Sequence, residues 1–185
     1  MLRNPENTKK GILVVASTIQ VQTNLVMDTL TDYLDKASQG KYAWKMKQDT
    51  YDYVEANKTD IHKLLKDTAN GKTELHVCLA ELTKIDGLGI VKAGFVLQMA
   101  LGKVGCLDTH NLTRFGIDGK QFKFSKTASD KLRQQKAKLY IDICNQIGGC
   151  EYLWDTWCEF IANKYPKQFK SGMEVSALHC KWVGC

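Results

Sequence analysis

Residues 82–93 read Leu-Thr-Lys-Ile-Asp-Gly-Leu-Gly-Ile-Val-Lys-Ala, and no other stretch limits the possible folds of the chain as tightly. Gly87 and Gly89 permit backbone angles that a Cβ forbids, so the chain can reverse direction between them. An apolar segment, 75–82, precedes the turn. A strongly apolar one, 90–101, follows it and stops at Gly102. The pattern predicts two helices, one ending near Lys84 and the other starting near Ile90, joined by a tight Gly-Leu-Gly turn. Leu88 is placed to plug the space between them, and Ala93 is small where they must touch.

The rest of the chain follows the same helical logic. Only two prolines occur, Pro5 and Pro166, while glycines stand at apparent helix ends. Residues 12–35 read as one helix, apolar first and amphipathic later, with Leu25, Val26, Leu30, Tyr33 and Leu34 at three- and four-residue steps. Further helices are expected at 54–70, 108–115, 125–147, 151–164 and 175–183. Residues 12–16 and 122–124 are the only runs that a strand could also claim. The expected class is mainly α.

At 185 residues the chain makes one domain, or two small lobes, and needs no staples to bury a core. Its formal net charge is +6, a modest basic excess that suits a polyanionic partner. Seven cysteines are present, an odd number. The first ten residues are polar and no long apolar run follows, so no signal peptide is read. The cysteines are therefore expected as free thiols in a reducing, intracellular compartment. No segment approaches the length of a membrane span, and a monomer off the membrane is expected.

The hairpin has a chemical reading. The first amides of the helix opening at Ile90 have no partner within the helix, and its dipole is positive there, so it attracts an anion. Lys84, Gly87, Leu88, Gly89, Val91 and Lys92 are the expected contacts to the backbone of double-stranded DNA. Such contacts position a protein without reading sequence. Beyond the second helix stands Asp108-Thr109-His110. Asp108 could cap the short helix that follows. Arg114 and the lysines of 119–139, with Arg133, would extend the basic surface. Tyr152, Trp154, Trp157 and Phe160 read as core, and Tyr42 and Trp44 as possible walls of a base pocket.

The hairpin, the apolar helix, the short glycine-containing loop and the Asp-Thr-His element together resemble the helix-hairpin-helix superfamily of DNA glycosylases that includes endonuclease III and 8-oxoguanine glycosylase. The match covers Leu82 to about Phe115. The resemblance implies a two-lobed helical fold, with 45–125 as the hairpin lobe and 1–44 plus 126–185 as the other. It makes Asp108 the essential carboxylate, which would stabilise a sugar that becomes positive as a glycosidic bond breaks. Its bifunctional members carry a nucleophilic lysine two positions after the second hairpin glycine. Here that position is Val91, and Lys92 lies one residue later, about 100° round the helix. A monofunctional enzyme, in which water attacks, is therefore expected, with Lys92 as the alternative nucleophile. Ser17 to Thr23 resembles the segment that fills the gap left by a flipped base, with Gln20 ahead of Gln22 as the filling residue. The cysteine spacing fits neither the family's iron–sulfur cluster nor a zinc site, so no cofactor is expected. Two other readings stand beside the glycosylase. One is a phage-type transferase that modifies bases on the same fold, and the other is a DNA-binding module without chemistry.

Overall fold

The computed structural model describes residues 1–18 and 26–183, with only the backbone of 26–29, 179 and 181–183. Its helices are α1 (Pro5–Ser17), α2 (Val26–Ser38), α3 (Lys45–Ala69), α4 (Leu75–Leu82), α5 (Ile90–Leu101), α6 (Thr109–Arg114), α7 (Asp130–Ile147), α8 (Gly149–Lys164) and α9 (Gly172–Val183). A 3-10 turn, Gly119–Phe122, lies between α6 and α7. No strand occurs among the described residues, so the mainly α class holds. No described helix is long and apolar enough to cross a membrane.

The centre of the molecule is α1. Asn4 caps it by accepting from the Asn7 amide at 2.8 Å, and Pro5 stands where its missing N–H costs nothing. Ile12 to Ala16, the run that a strand could have claimed, is helical and buried on every side, against α3, α5, α9 and α2. The single helix expected over 12–35 is two helices. α1 stops at Ser17, and its last side chains turn back on it: Ser17 Oγ donates to Val14 O and Thr18 Oγ1 to Val15 O, both at 2.7 Å. Such bonds compete with helix continuation.

α3 begins at Lys45, nine residues before the apolar pattern starts at Val54. Its first two turns bury Lys47 and Thr50, and buried polar residues leave no apolar period to read. α4 and α5 run as expected, and Gly102 ends α5 in the left-handed conformation at φ 61°. α7 starts at Asp130, five residues later than expected, under a Ser129 cap. α8 and α9 each begin slightly earlier, at Gly149 and Gly172. One apolar core joins α1 and α3 to α4, α5, α7 and the start of α8, and a smaller one lies between α8 and α9.

Candidate functional site

The hairpin is built as its residue types require. Gly87 takes φ 82°, which a side chain would strain, and Leu88 is buried in the main core at 1% exposure. The turn is held from two sides. On one, Thr50 Oγ1 of α3 donates to Asp86 O at 2.6 Å. On the other, buried Arg133 of α7 donates to Thr83 O at 3.2 Å and Thr83 Oγ1 at 2.9 Å, and also to Ala128 O and Lys126 O. Gly89 opens α5 with no capping side chain, and the first intrahelical bond is from the Ala93 amide to Gly89 O at 2.9 Å. Gly89 is exposed, so the turn presents an uncapped helix N-terminus there. A groove runs along each flank. One passes Asp86, Phe124 and Lys126, and the other passes Val91, Lys92, Lys120 and Lys123.

Asp108 arrives on a clamped loop. The buried Tyr140 hydroxyl donates to Gly105 O and accepts from the Leu107 amide, both at 2.8 Å. Gln98 accepts from the Cys106 amide at 3.2 Å, and Asn111 Nδ2 donates to Cys106 O at 2.8 Å. Val104 is buried with φ 65°, a strained conformation for a β-branched residue. α5 can approach this loop only because residue 94 is glycine: a Cβ there would lie 2.9 Å from Gly105 O. Asp108 Oδ1 then accepts from the Asn111 amide at 2.9 Å, capping α6, and Oδ2 accepts from Trp157 Nε1 at 3.2 Å.

Lys92 projects to the end of α1, where its Nζ donates to Thr18 Oγ1 at 2.8 Å while standing 5.7 Å from the Phe95 ring centre. A second lysine converges on the same point. Lys47, 1% exposed, donates from Nζ to Ser17 O at 3.0 Å and lies 4.9 Å from the Trp44 ring centre. The last carbonyls of a helix carry partial negative charge, which favours ammonium groups there. Burial nevertheless pushes Lys47 down to about 8, and the nearby charge of Lys92 adds to the shift. Packing pushes the Cys106 thiol up to about 12. Lys92 opposes that shift and Asp108 adds to it, so both charges are felt at Cys106. Asp108 and Lys92 thus belong to one neighbourhood, with Phe95 packed 6.4 Å from Trp157 between them.

The other expected contacts divide. Val91 is half-buried beside Lys92. Lys84 is already paired with Glu81 at 2.7 Å and Asp130 at 3.0 Å. Arg114 is exposed at the far end of α6, over the Phe115 ring. His110 packs on Phe160 at 4.5 Å. Arg133 is buried and bonded to carbonyls, so it stiffens the hairpin and is no part of the basic surface. Gln20 and Gln22 lie outside the described residues.

No family model, curated protein or solved structure matches the chain.

Sequence reasoning missed three residues of this neighbourhood. Tyr140 and Lys47 carried no signal, because one polar atom on a helix face does not reveal which loop folds against it. Trp157 was read only as core, although an indole N–H usually needs an acceptor when buried. That rule was the available signal.

Proposed function

We propose that the chain is a DNA glycosylase. It would grip duplex DNA with the Gly87–Gly89 turn and cleave the N-glycosidic bond of an extruded base beside Asp108. The observation that carries this reading is the pairing of an uncapped α5 N-terminus with a clamped carboxylate on the loop that follows the same helix. The first supplies donors for a phosphate, with Lys120 and Lys123 lining the adjoining groove. The second supplies the anion that an oxocarbenium-like sugar needs as the base departs. Water completes the reaction at C1′ in the monofunctional form expected from Val91. Lys92 is the amine that would replace water in a bifunctional form, and its Nζ donates to Thr18 Oγ1.

The cap bond from Asp108 to Asn111 favours a second reading, in which the carboxylate serves α6 alone and the protein only binds DNA. Duplexes carrying a panel of modified bases, incubated with excess protein and analysed by mass spectrometry, separate the possibilities. Free base is expected. Intact strands of altered mass, formed with a suitable donor, would mean base modification. Bound but unchanged strands would leave a DNA-binding module.

A further inference from the structure

Capping a six-residue helix occupies one carboxylate oxygen, yet Asp108 has both oxygens engaged. The second bond comes from an element 49 residues away. Its donor is held rigidly. The Trp157 ring stacks on Trp154 at 5.6 Å and 26°, and both rings pack on Phe95 at 6.4 Å. Trp154 is tied in turn to α9, where its Nε1 donates to Ser176 Oγ at 2.9 Å. An indole can only donate, so this contact suits an ionised carboxylate. A single cap bond leaves a carboxylate free to swing about Cβ–Cγ. Two bonds from different elements fix its plane. A carboxylate has about four acceptor positions, so the two bonds leave lone pairs on both oxygens.

We propose that Trp157 is a positioning residue for Asp108, setting the plane of the carboxylate so that its remaining lone pairs face the reacting sugar or water. The consequence for base release rests on the function proposed above, whereas the contact itself does not. The orientation is then set jointly by α6 and α8, and α8 is more than a core helix.

Two measurements decide this together. In ¹⁵N NMR, the Trp157 indole resonance of the wild type should move as Asp108 is protonated, and Asp108→Asn should abolish that movement. Trp157→Phe keeps the ring and deletes the N–H. It should slow base release by about ten- to a hundredfold at unchanged duplex affinity, as misplacement of a reacting group does. It should add no further loss in the Asp108→Asn background. An indole resonance indifferent to Asp108 overturns the proposal, as does wild-type base release by Trp157→Phe. If the wild type releases no base from any duplex, the glycosylase reading falls, and the resonance still decides whether Trp157 holds the carboxylate.

Discussion

Two buried polar side chains govern the site at the scale of single residues, with opposite effects on stability. Tyr140 satisfies two loop groups with one hydroxyl. Tyr140→Phe strands the Leu107 amide and leaves Gly105 O only the weak Cys144 thiol donor at 3.8 Å, so stability should fall by roughly 1–3 kcal/mol, read as a lower denaturant midpoint at unchanged slope. Base release should fall with it, because the loop carries Asp108. Lys47 works the other way. Its folded value of about 8 lies below the ordinary 10.5, so the unfolded chain binds the proton more tightly. The penalty is complete below pH 8 and disappears as pH rises towards 10.5. Wild-type stability should therefore climb across that window, by about 3 kcal/mol at most. Lys47→Met should lack the climb and be about 1–3 kcal/mol more stable at pH 7, measured by thermal or urea unfolding. The Asp108 cap was legible in the sequence because a carboxylate stands directly before a short helical segment. Lys47 was not, because its environment comes from Ser17, Tyr33 and Trp44, which no local pattern connects.

Glycine made the bounds of α4 and α5 legible, whereas the Asn4 cap of α1 and the Ser129 cap of α7 were not read, and those helices start at Pro5 and Asp130 rather than at 12 and 125. α4, α5 and the Gly102 stop follow from punctuation in the chain itself. The break between α1 and α2 and the extra turns of α3 did not, because hydroxyl back-bonds and buried polar residues decide them. The tightest packing is between α5 and the loop that follows it. Gly94→Ala puts a Cβ within 2.9 Å of both Gly105 O and Tyr140 Cε1. One of those atoms is backbone and cannot swing aside, so a loss of about 1–3 kcal/mol is expected on unfolding. The hairpin makes a different prediction. Lys120 and Lys123 line the groove beside the first turn of α5. Replacing both by Gln should reduce the slope of log affinity for duplex DNA against log salt by about 2, since each lost phosphate contact removes roughly 0.9. The single change Lys84→Gln should lower the slope by less than either of these does, because Glu81 and Asp130 already hold that ammonium.

Across the whole molecule, α1 ties the pieces together. Lys92 from the hairpin helix and Lys47 from α3 both end on its last turn, while its other faces pack on α2 and α9. The mainly α class was readable from periodicity. The convergence was not, because it joins Thr18 to Lys92 across 74 residues. Lys92 also stands over the Phe95 ring, which packs on Trp157, the indole that donates to Asp108. The most direct test is the single-turnover rate of free-base release from the preferred modified duplex, compared between the wild type and Asp108→Asn at saturating protein. The variant is expected to bind the duplex with unchanged affinity and salt dependence but to release base at least about a hundredfold more slowly, as removal of a charge-stabilising group does. Equal rates in the two proteins would contradict this and leave Asp108 as the cap of α6.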